Sequence, residues 1–260
     1  MKVTEWNLDC ETGAFHFDRE FALVDSEGSA LRLSTYPRMG LIQPFIDVER
    51  KALTVKGEGV SDLVIDLEES GCKKVMTKDI KVCGKKCGGT LWGSHTVSKW
   101  FSSFLGVQCW LARYKDLNHK RSGFENEAPI LLVSNNAINR LNTIMTTQGS
   151  KQVNSKFFRP NIVVEAPIPN ISSNPEDKWK KIVLPRHELE FNVIGPCARC
   201  SMVDIDPTSG AKGGKTLRAL AQYRRDKGKI NFGVFLSCSY NHEGPRNVAI
   251  NEGEKIVVQI

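Results

Sequence analysis

GPCARCSMVDIDPTSGAKGGKTLRALAQYRR, running from Gly195 to Arg225, packs two cysteines, a turn and a basic helix into one short stretch. Pro196 fixes the chain just before Cys197, and Arg199 stands beside Cys200. A guanidinium next to a thiol favours the thiolate, so Cys200 is the candidate metal ligand or nucleophile. Met202-Val203-Asp204-Ile205 alternates like a half-buried strand, and Asp206 to Gly210 is rich in residues that turn the chain. From Thr216 the spacing changes: Leu217, Leu220 and Ala221 repeat as on a helix, with Arg218, Arg224 and Arg225 off that stripe. The expected order is cysteines, strand, turn, then a helix with one buried and one cationic face.

Working outward, the chain upstream is strand-rich. Glu20 to Leu33 forms two apolar runs around Ser26-Glu27-Gly28, a hairpin pattern; Gly40 to Val48 is interrupted by Pro44, which suits an edge strand or a bulge. Ala52 to Val55 and Leu63 to Leu67 follow, the latter alternating so that Leu63, Ile65 and Leu67 share one buried face. Short strands at this spacing favour a barrel or sandwich over a βαβ fold. Helices are predicted from Ser94 to Leu105, stopped by Gly106, and after Ser134, where Ile138, Leu141, Ile144 and Met145 face inward. Strands are predicted at Cys109 to Tyr114, Ile130 to Val133, Asn161 to Glu165 and Lys255 to Ile260. The polar loop Lys115 to Asn126 reads as the division between domains 1–114 and 115–260.

The chain has 260 residues, a formal charge of +7 and a pI near 9.0, which points to an anionic partner without choosing one. Lysines and arginines are scattered and no aromatic-basic motif is present, which argues against nucleic acid. No apolar leader and no stretch near the roughly 20 apolar residues of a membrane span occur, so the chain reads as soluble and cytoplasmic. The eight cysteines therefore read as reduced thiols. Cys197 and Cys200 with Cys83 and Cys87 could supply four thiolates, but the spacing is a poor match to a zinc ribbon; a thioredoxin-type CxxC would open a helix. Cys197 could still carry a persulfide or a disulfide with Cys200. The five histidines form no metal spacing.

A set of motifs in order completes the reading. Phe158-Arg159-Pro160-Asn161-Ile162-Val163-Val164, Asp177-Lys178-Trp179, Cys197-Ala198-Arg199-Cys200, Asp206 to Gly210, Leu220 to Arg225 and Gly228 to Gly233 resemble a MOSC domain, the C-terminal domain of molybdenum cofactor sulfurases. Phe17 to Asp25 and Pro37-Arg38-Met39 resemble the β-barrel domain that precedes it. The resemblance implies a β-rich α+β fold: a small N-terminal β-barrel domain and a MOSC β-barrel with peripheral helices. It implies binding of the molybdenum cofactor (Mo-molybdopterin), with Cys200 as molybdenum ligand or sulfur-receiving thiol and Arg159 and Arg19 on the pterin and phosphate. Asn126, Glu127, Asn161 and Arg199 would line the same pocket. A soft thiolate suits molybdenum, and guanidinium forks suit a phosphate.

Two relatives within the family imply different activities. The sulfurase form holds the cofactor for sulfuration, a sulfurtransferase-type role with a cysteine desulfurase as sulfur donor and a molybdoenzyme as acceptor. The amidoxime-reducing form is a molybdenum reductase of N-hydroxylated compounds that draws on a cytochrome b5 partner and would associate with mitochondria. Asn126-Glu127-Ala128 and the short step from Arg224-Arg225 to Gly228-Lys229 are similar to the sulfurase. The family's lysine-serine pair upstream of the first barrel strands has no counterpart, and neither has the desulfurase domain's Schiff-base lysine segment, so pyridoxal phosphate would enter only through a separate domain or protein. A degenerate module that serves protein interaction is the third reading. Structural alternatives stand beside the site roles: a salt bridge for Arg159 or Arg19, a helix or loop partner for Glu127, backbone satisfaction for Asn161, and core packing for Trp179.

Overall fold

A computed structural model of the chain describes residues 3–68, 77–92, 94–115, 123–124, 127–165, 174–239 and 245–260. The loop Lys115 to Asn126, on which the domain division was expected, lies almost wholly outside the described residues, and so does Asn126 itself. The fold is β-rich α+β, and its elements fall into two compact units that interleave in sequence: one holds 17–126 with 207–210, the other 2–16, 127–206 and 211–260.

The chain opens with β1 (Glu5–Asp9) and β2 (Ala14–Phe15), which belong to the second unit. The first unit then builds two antiparallel sheets. One contains β3 (Phe21–Val24), β7 (Thr77–Val82), β8 (Lys85–Leu91) and β9 (Trp110–Tyr114) in the order β3-β9-β8-β7; the other contains β4 (Gln43–Asp47), β5 (Ala52–Lys56) and β6 (Leu63–Asp66) in chain order. Pro44 sits on β4, an edge strand, where its missing N–H costs the ladder least. In β6 Leu63 and Ile65 are buried while Val64 is 65% exposed, as the alternation requires. Helix α1 (His95–Leu105) turns Val97, Phe101, Phe104 and Leu105 inward and ends on Gly106, whose φ of 71° suits a residue without Cβ. Each of these large side chains contributes about 1.5–3 kcal/mol by leaving water.

The expected hairpin at Glu20 to Leu33 is only half formed. Its turn is present, with the Asp25 carboxylate accepting from the Glu27 and Ser29 amides at 2.9 Å. Its second arm makes a single bridge, Val24 with Ala30, because that arm also lies against β7, where Ala30 donates to the Lys81 carbonyl at 2.9 Å. The true sheet partner of β3 is β9.

The second unit centres on a seven-stranded sheet. Its path is β11 (Ile162–Val164), β10 (Ile130–Ser134), β15 (Lys229–Ser239), β13 (Leu189–Ala198), β12 (Lys181–Leu184) and β17 (Val257–Gln259), with β14 (Arg225–Asp226) pairing β15. Of these pairs only β10 and β11 run parallel. A smaller sheet orders β16 (Asn247–Asn251), β1 and β2. Register shifts between Val193 and Gly195 and between Pro196 and Ala198 bend β13 as it approaches the cysteines. Leu8, Ile130, Leu132, Phe191 and Leu236 pack one core; Trp179 joins it at 8% exposure.

Helix α2 (Asn135–Thr147) starts on Ser134, whose hydroxyl accepts from the Ala137 amide at 3.1 Å and donates to the wholly buried Glu176 carboxyl at 2.6 Å. Helix α3 (Thr216–Arg224) buries Thr216, Ala219 and Leu220. Its expected cationic face loses Arg224, which forks onto Asp177 at 2.5 and 2.8 Å. Met202 to Ile205 is not a strand. Ser201–Asp204 forms a turn of 3-10 helix that still buries Val203 and Ile205, so the alternation was real and the backbone tighter than it suggested. The strand, β13, leads into the cysteines rather than out of them.

Candidate functional site

β13 delivers the two cysteines to different surroundings. Cys197, the last but one residue of the strand, is 6% exposed, whereas Cys200, at the start of the 3-10 turn, is exposed. Both are reduced thiols, as are the other described cysteines. The turn after Cys200 is anchored at its far end, where the Asp204 carboxylate accepts from the Leu217 amide at 2.9 Å and so caps α3. Burial raises the Asp204 carboxyl above its ordinary value, against the opposing hydrogen bonds from the Leu217 and Thr216 amides.

Between the cysteines, Arg199 turns inward. Its backbone amide donates to the Ile230 carbonyl at 2.7 Å, its Nε to the Phe232 carbonyl at 2.8 Å, and its Nη1 to the Phe158 carbonyl at 3.0 Å. The guanidinium stands over the Phe158 ring at 5.4 Å, and Phe158 packs against Phe232 with centroids 4.4 Å apart. Nη2 is buried with no partner among the described residues. Burial lowers the pKa of Arg199, and the neighbouring sulfurs of Cys197 and Cys200 oppose that.

Through Phe158, Arg199 reaches a second predicted residue. Arg159 follows Phe158 as the left-handed cap of a 3-10 turn, Ser155–Phe158, with φ of 53°, and its side chain is exposed. One buried guanidinium thus joins the Cys200 turn to the Arg159 turn. Asn161 plays a visible structural part, since its side-chain oxygen accepts from the Leu131 amide at 3.0 Å while its own amide donates to the Leu131 carbonyl at 2.8 Å. It pins the start of β11 to β10. Glu127 is exposed. Arg19 belongs to the other unit, where it also holds a left-handed backbone, φ 54°, pairs with Asp18, and gives its carbonyl to the Phe124 amide at 2.7 Å.

One residue that supports the site was legible only as part of a motif. Gly233 lies within β15 at φ 75°, and a Cβ there would stand 2.6 Å from the Leu132 carbonyl oxygen, 2.7 Å from Val133 and 3.4 Å from Arg199 Nη2. Only glycine lets β15 pass β10 this closely and leaves room for the guanidinium. A glycine inside an otherwise apolar strand was the available signal.

The exposed Cys200 thus follows a structural arginine, Arg199, at the end of a strand in a β-rich unit. Residues 119–257 match the family described as the MOSC domain, and residues 2–108 match the MOSC N-terminal beta barrel domain. The chain belongs to the MOSC domain family. Similar proteins include those named molybdenum cofactor sulfurase from Aspergillus niger, 32% identical over 88% of this chain and 35% of the relative, and from Aspergillus oryzae, 31% identical over 98% and 38%. The protein of that name from Arabidopsis thaliana is 31% identical over 98% of this chain and 33% of its own. The chain spans about a third of the length of these curated relatives. Among the described residues no helix is long and apolar enough to cross a membrane.

Proposed function

We propose that this chain holds the molybdenum cofactor for sulfuration, in the manner its MOSC membership and sulfurase relatives suggest. The observation that carries the reading is the exposure of Cys200 beside a half-buried arginine, Arg199, that is tied to two carbonyls and has one buried nitrogen without a partner among the described residues. The donor set fits the group: a soft thiol for the metal and the exposed Arg159 fork for a phosphate. Bound there, the cofactor would supply a molybdenum centre open to a sulfur ligand.

The chain's own residues have distinct parts in this reading. Cys200 is the metal ligand or sulfur-receiving thiol. Arg159 contacts the anionic pterin phosphate, and Arg19, in the other unit, is a separate phosphate-binding candidate. Glu127 is a candidate pocket residue, and Asn161 and Arg199 position the segments that carry Cys200 and Arg159. A cysteine desulfurase supplies sulfur, and a molybdoenzyme takes the finished cofactor. The test is to incubate the cofactor-loaded chain with a cysteine desulfurase and L-cysteine and measure cyanide-releasable sulfur. Sulfur gain that depends on Cys200 supports the proposal. Reduction of an amidoxime by the same protein, given an electron donor and without sulfur gain, would replace it with the reductase reading.

A further inference from the structure

The paired helices α2 and α3 present an outer surface that the cofactor reading does not use. Their sequences, NNAINRLNTIMTT and TLRALAQYR, contain no aspartate or glutamate. Arg140, Lys215 and Arg218 are exposed on them, and none of the three forms an ion pair with a described residue. Carboxylates close by are engaged internally: Asp204 caps α3, Asp177 holds Arg224, and Glu176 is buried against Ser134. The Arg140 guanidinium lies over the Tyr223 ring at 4.9 Å.

Two concavities mark this surface. One, of about 290 Å³, is lined by Gln148, Lys215, Arg218 and Gln222; the Gln148 side-chain nitrogen donates to Gln222 at 2.9 Å, which leaves a carbonyl oxygen and an amide nitrogen of the pair for a guest. The other, of about 410 Å³, is lined by Asn139, Asn142, Thr143, Thr146, Thr147 and Gln152. Cations spaced among carboxamides and hydroxyls suit a peptide chain, whose backbone needs donors and acceptors and whose acids are dispersed. A nucleic acid would call for cations in a phosphate-tracking row with aromatic stacking, and a membrane surface for apolar residues beside a dense basic cluster.

We propose that the α2–α3 face is a docking surface for an acidic segment of a partner protein, with Lys215 and Arg218 as the charged contacts and the Gln148–Gln222 pair as the hydrogen-bonding floor. Charge complementarity carries the choice: neither helix carries a carboxylate, the two concavities have none among their described lining residues, and the chain has a formal charge of +7. The proposal stands independently of cofactor binding.

The experiment measures fluorescence anisotropy of a labelled peptide alternating Glu and Ser, titrated with the wild-type chain. The comparison proteins are Lys215→Glu/Arg218→Glu, the milder Lys215→Gln/Arg218→Gln, and a charge control, Lys99→Glu/Lys255→Glu, at exposed positions outside the two helices and the lining of their concavities. The expected result is saturable binding, weakened about tenfold or more by the first pair, less by the second and little by the control. A glutamine-for-glutamate version of the peptide should not bind. Equal weakening by the first pair and the control, or no binding of the acidic peptide, overturns the proposal. So does tighter, Lys215- and Arg218-dependent binding of a single-stranded oligonucleotide or of phosphatidylserine vesicles.

Discussion

Arg199 and Phe158 lie 41 residues apart in the chain, yet Nη1 of the arginine donates to the phenylalanine carbonyl at 3.0 Å while its Nε holds the Phe232 carbonyl at 2.8 Å. The basic residue beside the exposed cysteine is therefore a positioning residue. It fixes the peptide before Arg159 relative to the peptide before Cys200, which is what a site assembled from two turns requires.

Arg199→Met should expose the worth of that bracket. Methionine fills the stem's volume but leaves two carbonyls without donors, at a cost of about 2–4 kcal/mol. Arg199→Lys, with a compact ammonium in place of a fork, should fall between methionine and wild type. Urea unfolding reads this as a lower midpoint at unchanged slope. A methionine variant as stable as the wild type would mean that the buried guanidinium contributes nothing net.

Glu176 predicts a pH dependence. Burial raises its carboxyl above the ordinary 4.5, with the hydrogen bonds from Ser134 opposing. The folded protein therefore keeps this proton to higher pH than the unfolded chain. Its contribution is fully present below the unfolded value and is lost as pH rises through the folded one. Stability of the wild type should fall over that rise relative to Glu176→Gln, which has no proton to lose; Asp204, shifted the same way, is common to both proteins and cancels. Unfolding midpoints of the two proteins across a pH series decide it. A constant difference would contradict the assignment.

Thiol reactivity should sort by position. Cys83 and Cys200 are exposed, while Cys10 is 2% and Cys109 0% exposed and both thiols are raised by burial; burial also pushes Cys238 up to about 12. A brief maleimide pulse followed by peptide mass spectrometry should label Cys83 and Cys200 at least about tenfold faster than the other three. Labelling of Cys238 at the rate of Cys200 would contradict this.

Much of the fold was legible because its signals are local. The alternation of Leu63 to Asp66, the stripe from Val97 to Leu105, the Ser134 cap and the Pro44 edge strand depend on a few neighbours each. The misses have a shared cause. Met202 to Ile205 buries the same residues as a strand or as a 3-10 turn, and the contact of Asp204 with the Leu217 amide, 13 residues on, is not visible in the local pattern. Arg224 looked like a surface cation until Asp177, 47 residues upstream, met it. In the site, Cys200 was visible as one half of a CxxC with an arginine beside it; that Cys197 is buried and Arg199 meets two distant carbonyls depends on β15 and on the Ser155–Phe158 turn, which no spacing reveals.

In the proposed function Cys200 binds the molybdenum of a pterin cofactor. The most direct measurement is molybdenum by elemental mass spectrometry together with oxidised-pterin fluorescence, on wild-type chain and Cys200→Ala purified from a cofactor-producing host. The account predicts molybdenum and pterin in near-equal amounts in the wild type and loss of the metal in the variant, with the same circular dichroism for both. A folded Cys200→Ala that carries as much molybdenum as the wild type, or a folded wild type that carries neither metal nor pterin, would contradict it.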